Sequence, residues 1–294
     1  MIRLQFRETL LLSLVVLAGL ILLLIYAGPT SGPNGTPVET LVLYCAAGLQ
    51  PPVSEIITNY ESANPVRFET QFGGSGTLLS EIRVAGGDLF VAADKQYLLT
   101  AREMKLVGEI LPIATQTPVI VVPKGNPKRI HNPNDLLPSG VRLSLGDPKM
   151  AAIGKIVQGL LKQDALWDRL WQKAVIHRET VNQVANDVKL TAADVGIVWD
   201  ATAVQYPDLE IVRVDQFERS KNEIAVGVLT TAKHPDSALR FAHYLTAPEN
   251  GLSVFRKYGY TVVEGGGERA DGRGSQTRDT SRPRVPAKSV IPKP

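Results

Sequence analysis

The stretch Phe72-Gly73-Gly74-Ser75-Gly76-Thr77-Leu78 has the residue types and spacing to hold an anion. Val66–Phe72 alternates apolar and polar residues and reads as a strand, two glycines break it, and Thr77–Ala85 reads as a helix. Ser75 falls at the start of that helix between two glycines. There it offers a hydroxyl and bare backbone N–H groups at the positive end of the helix dipole. No Gly-Lys-Ser/Thr follows, so this is not a nucleotide-binding loop. The same residues also make an ordinary capped helix after a tight turn, and the stretch alone leaves both readings open.

Groups that make or break bonds are poorly arranged by comparison. Cys45 is the single cysteine; it lies in the apolar run Leu41–Ala47 and reads as a buried structural thiol. His131, His177, His234 and His243 are scattered without ligand spacing. Asp88, Asp94, Asp147, Asp200 and Glu223 are the candidate acids. No two of them form a recognisable pair, and Asp94 and Asp147 look like cap and turn residues. No catalytic or metal-ligating residue is assigned, and the chain reads as a binder rather than an enzyme.

The elements that must position Ser75 belong to an α/β chain. With 294 residues and 44% hydrophobic content, the chain can bury a large core. Leu10–Ala27 is uncharged and apolar, and eighteen residues at about 1.5 Å each span roughly 27 Å, close to the hydrocarbon thickness of a bilayer. Arg3 and Arg7 ahead of it predict a cytoplasmic N-terminus with the rest sent across, as a cleaved export signal or a retained anchor. Gly28–Pro37 is a spacer rich in Gly and Pro. From Val38 onward strand and helix patterns alternate, pause at the Pro/Asn-rich 126–138, and restart at Arg142. That alternation predicts parallel sheets covered by helices, in two units. The expected division is 1–37 for signal or anchor plus spacer, 38–117 with 228–264 for one lobe, 118–227 for the other, and 265–294 for a disordered basic tail. Of the net charge of +3, the tail carries +4 and residues 1–40 carry none, which leaves −1 on the rest. A near-neutral body argues against broad nucleic-acid binding.

Five landmarks in order resemble the periplasmic molybdate-binding proteins of ABC uptake systems, over about Leu41–Glu264. They are Tyr44-Cys45-Ala46-Ala47-Gly48-Leu49, Phe72–Leu78, Gly87-Asp88-Leu89-Phe90-Val91-Ala92-Ala93-Asp94, Leu145-Gly146-Asp147-Pro148, and Ala193-Asp194-Val195-Gly196-Ile197-Val198-Trp199. The resemblance implies a two-lobed type II binding-protein fold, each lobe a mostly parallel sheet flanked by helices, with a hinged cleft. It implies a tetrahedral oxyanion, molybdate or tungstate, held by hydroxyls and N–H groups rather than arginines, and delivered by a monomer to an ABC permease. It implies a periplasmic location, possible attachment to the inner membrane through 10–27, and no cofactor besides that ligand. Carried over by position, the ligand-binding residues are Gly48, Ser75, Ile153, Val181 and Trp199. The family's usual serine is Gly48 here, and its usual tyrosine is Trp199, whose indole N–H can still donate. A site of donors alone would favour a fully deprotonated dianion.

Other ligands of the same fold remain open at this point: sulfate, phosphate, ferric ion or a small organic acid. Ferric-ion binders of this kind use paired tyrosines, and Tyr258 and Tyr260 are spaced i, i+2; the alternative is that both pack the end of a lobe. A membrane-anchored sensor is a further reading. Trp167 and Trp171, four apart on a helix, read as packing, with a partner-binding patch as the alternative.

Overall fold

Eleven strands lie in two separate sheets in the computed structural model, which describes residue 19 and residues 38–263. The strands are β1 (Glu39–Ala46), β2 (Val66–Gly73), β3 (Leu89–Ala92), β4 (Val107–Gln116), β5 (Pro118–Pro123) and β6 (Leu143–Gly146). They continue with β7 (Ile176–Arg178), β8 (Val195–Trp199), β9 (Leu209–Val212), β10 (Asn222–Leu229) and β11 (Thr261–Val262). The expected export or anchor segment 10–27, Gly19 apart, the spacer 28–37 and the basic tail 265–294 lie outside the described residues. Among the described residues, no helix is long and apolar enough to cross a membrane.

The first sheet has the order β11-β4-β10-β3-β1-β2 and the second β7-β6-β8-β5-β9. Each has a parallel part, β3-β1-β2 in the first and β7-β6-β8 in the second. Each becomes antiparallel where β4, β10 or β5 joins it, because these strands carry the chain between sheets and run against their neighbours. β3, β6 and β8 are buried at every residue, as expected of strands covered on both faces. β2, at a sheet edge, alternates buried or half-buried with exposed residues over most of its length.

Local chemistry sets the helix starts. Helix Gln50–Ala63 has Pro in its first turn, where a missing N–H costs nothing. The Asp94 side chain accepts from Gln96 N–H and caps helix Lys95–Glu103. Thr180 and Gln183 form a capping box for helix Val181–Lys189. Helix Ser75–Ala85 ends on Gly86, whose φ of 68° suits glycine, with its N–H on the Ile82 carbonyl at 3.0 Å.

β4 falls outside the strands expected from the sequence, and Pro112 is the reason. Ala225 of β10 pairs with Pro112 while Ile224 pairs with Ala114, so Ile113 is the extra residue of a bulge. The bulge accommodates a residue with no N–H to give the ladder, and it also breaks the alternation that marks a strand. One residue, Thr117, joins β4 of the first sheet to β5 of the second. Asp200 holds it on both sides: its N–H donates to Thr117 O at 2.9 Å, and its carboxylate accepts from Thr117 N–H at 3.1 Å. The chain returns to the first sheet with β10, which opens at Asn222 opposite Gln116 of β4, ahead of the boundary expected at 228.

Candidate functional site

A small cavity of about 20 Å³ sits where the two sheets' loops meet. Three helices begin on its wall: Ser75–Ala85 from the first sheet's side, and Ala152–Leu160 and Val181–Lys189 from the second's. The short turn Ala47–Leu49 after β1 and the end of β8 complete it. Thirteen residues line the cavity and none carries an ionisable side chain.

Gly48, Ser75, Ile153, Val181 and Trp199, which the sequence places far apart, all stand on this wall. Ser75 is 1% exposed, and its Oγ accepts from Ala93 N–H at 3.2 Å, which leaves the hydroxyl proton to donate elsewhere. A helix cannot satisfy its own first N–H groups. Those of Ser75, Ile153 and Val181 meet no backbone acceptor among the described residues. The wall therefore combines unpartnered donors with three positive helix ends, an arrangement that favours an anion. The lining residues that the sequence reading missed are small: Ala93, Ala151 and Ala152 offer backbone and space, and carry no side-chain signal. Thr180, also on the wall, was detectable as the cap of Thr-x-x-Gln.

The geometry accounts for the glycine at position 48. A Cβ there would stand 2.9 Å from Val181 Cγ1 and 3.3 Å from Thr202 Oγ1, so the start of helix Val181–Lys189 occupies the space of a side chain. The Gly48 carbonyl accepts from the Tyr260 hydroxyl at 2.8 Å, which fixes the turn. Trp199 is 1% exposed at the end of β8. The residue forms part of the wall.

Two of the three glycines of the Ser75 loop, Gly74 and Gly76, are where the halves touch. Gly76 N–H donates to Met150 O at 2.8 Å. A Cβ on Gly76 would meet Lys149 O at 2.1 Å, and one on Gly74 would meet Glu179 O at 2.3 Å and Met150 O at 2.4 Å. Only bare backbone fits at this distance.

The acids weighed as catalysts have structural partners instead. Asp88 accepts from Val42 N–H at 2.8 Å and Lys233 N–H at 2.7 Å. Asp147 accepts from Lys149 N–H at 2.8 Å, Asp200 pins Thr117, and Glu223 pairs with Lys95 at 2.8 Å. Asp94 caps its helix, and burial raises its carboxyl above the usual range. Burial also pushes the Cys45 thiol well above its ordinary value, which keeps it an inert thiol. Tyr258 donates to Glu55 at 3.0 Å and Tyr260 to Gly48 O, so the two tyrosines serve different partners rather than one ion. Trp167 stacks on Trp171, and Trp171 on His177 at 3.8 Å between ring centres. Among the described residues, no group of three His, Cys, Asp or Glu could hold a metal.

The model of the family described as bacterial extracellular solute-binding protein matches residues 41–261. The molybdate-binding protein ModA of Mycobacterium tuberculosis is 29% identical over 225 residues, 75% of this chain and 82% of that protein. The protein of the same name from Escherichia coli is 26% identical over 232 residues, 76% and 89% of the two chains. Among solved structures, the sulfate-binding protein SubI of Mycobacterium tuberculosis superposes with a TM-score of 0.68. At 16% identity, over 77% of this chain and 88% of that one, this is a likeness of fold.

Proposed function

The chain belongs to the bacterial extracellular solute-binding proteins, and we propose that it captures a tetrahedral oxyanion, molybdate or tungstate, for delivery to an ABC permease. One observation carries this reading: three helix starts with unpartnered N–H groups and the Ser75 hydroxyl converge on a cavity without a charged side chain. Two relatives named for molybdate support the choice of ion. Residues 38–117 with 228–264, and 118–227, act as the lobes, with the return strand entering from Asn222. Closure of the lobes brings Gly76 onto Met150 and buries the ion. The segment 10–27 directs the chain across the membrane or holds it there.

The energetics suffice without a formal positive charge. Hydrogen bonds to a charged group contribute roughly 1.5–3 kcal/mol each, and each helix terminus about 0.3–2 kcal/mol. Four or five donors with three termini therefore sum to roughly 7–21 kcal/mol gross, a range that spans the about 8 kcal/mol of micromolar affinity. Exclusion of water from the closed cavity strengthens each donor.

Sulfate is the second reading, because a sulfate-binding protein shares the fold and the same donors suit any dianion of this shape. Isothermal titration with molybdate, tungstate, sulfate and phosphate separates the two. The expected result is tight binding of the first two, weakened at least tenfold in Ser75→Ala. Preference for sulfate selects the second reading, and failure of all four anions to bind overturns both.

A further inference from the structure

Thr202 is 0% exposed, and its hydroxyl has no hydrogen-bond partner. A buried hydroxyl left without a partner is costly, and such groups are few in folded proteins. Its position is specific. It lies in the short helix Asp200–Val204, which begins directly after the cavity residue Trp199. Its Oγ1 stands 3.3 Å from the point where a Cβ of Gly48, another cavity residue, would be. Asn182 Oδ1, 3.8 Å from that same point, is also buried without a partner. An amide oxygen only accepts, so it offers nothing to an anion, and the hydroxyl is the donor of the pair.

We propose that Thr202 is a specificity-determining residue of the oxyanion site: packed beside the bare backbone of Gly48, its hydroxyl donates to the bound anion, directly or by way of one water. A serine at 48 would bring its own hydroxyl from the turn after β1. Here Val181 Cγ1 closes that option, at 2.9 Å from the Cβ position. The donor comes instead from Thr202, on a helix anchored by Asp200 to Thr117. The inference rests on the oxyanion reading above and deepens it.

The test is titration of the full protein, Thr202→Val and Thr202→Ser with molybdate, tungstate, sulfate and phosphate, together with the Tm of each ligand-free protein. Valine keeps the shape and removes the hydroxyl. The expected result is about tenfold or greater loss of affinity for the preferred anion in Thr202→Val. Its ligand-free Tm is expected to be equal or higher, since an unpaired buried hydroxyl has been removed, and Thr202→Ser is expected to bind as the wild type does. Wild-type affinity in Thr202→Val overturns the proposal and leaves the oxyanion reading standing. A lower ligand-free Tm with the affinity unchanged in both variants makes Thr202 a packing residue and overturns it as well. If the wild type itself binds none of the four anions, the oxyanion reading falls and this proposal with it.

Discussion

One helix, Val181–Lys189, serves two buried polar sites that are built on opposite plans. At its start, Val181 presents an N–H without a backbone acceptor to the cavity. Two turns later, Asp187 accepts from Ser144 Oγ at 2.7 Å and from Arg178 Nε and Nη2 at 2.8 and 2.7 Å. The second site is saturated and charged; the first is neutral and leaves its donors open. The contrast teaches what each is for. Saturating a buried carboxylate locks β6, β7 and the helix together, because removing any partner strands a charge. Open donors cost stability and return it only when an acceptor arrives from outside.

The contrast can be broken first at the loop glycines. Gly76→Ala places a methyl about where Lys149 O now stands, so the closed form is lost while each half remains intact. Anion affinity is expected to fall at least 100-fold, about 3 kcal/mol, with little change in the ligand-free Tm. Titration calorimetry reads the first effect, and solution scattering the more open shape. Wild-type affinity in this variant would show that the halves need not meet. Asp187→Ala is the complementary change. It leaves Arg178 and Ser144 without their acceptor and is expected to cost about 2 kcal/mol in urea unfolding, less than a fully buried pair because Arg178 remains partly exposed. A large loss of affinity without loss of stability would erase the distinction between the sites.

The smallest effect sharpens the same comparison through pH. Arg142 holds Asp194 by two side-chain bonds, at 2.7 and 3.2 Å, and by its own N–H at 2.9 Å. These bonds, led by the guanidinium, hold the Asp194 carboxyl below its usual range. A carboxylate with a lowered folded pKa stabilises above its unfolded pKa, and that contribution disappears as pH falls through the folded value. Wild-type stability should therefore drop in acid below about pH 4 by somewhat more than that of Asp194→Asn, with a difference under about 1 kcal/mol. Parallel acid titrations of unfolding free energy check this. Equal slopes would mean that the pair contributes nothing.

Much of the fold was legible because β3, β6 and β8 are buried at every residue, β2 alternates over most of its length, and glycine, proline and capping residues mark many element ends. β4 was not, since Pro112 and the bulge at Ile113 break its pattern. The return of the chain at Asn222 was also hidden, because a strand pattern does not say which sheet the strand joins. Of the site, only Ser75 announced itself from its own neighbours. Gly48, Ile153, Val181 and Trp199 came from resemblance, because a backbone N–H has the same chemistry in every residue and leaves no mark in a sequence. Thr202 gave no signal at all. Its meaning depends on an absent side chain in another element, which is a fact of three dimensions.

The uncharged lining has a consequence for timing. With no ionisable side chain on the wall, titration of the lining itself cannot time the release of an anion seated there. On the proposed reading, release then follows from parting the Gly76 to Met150 contact, a motion of the two halves rather than a titration of the wall.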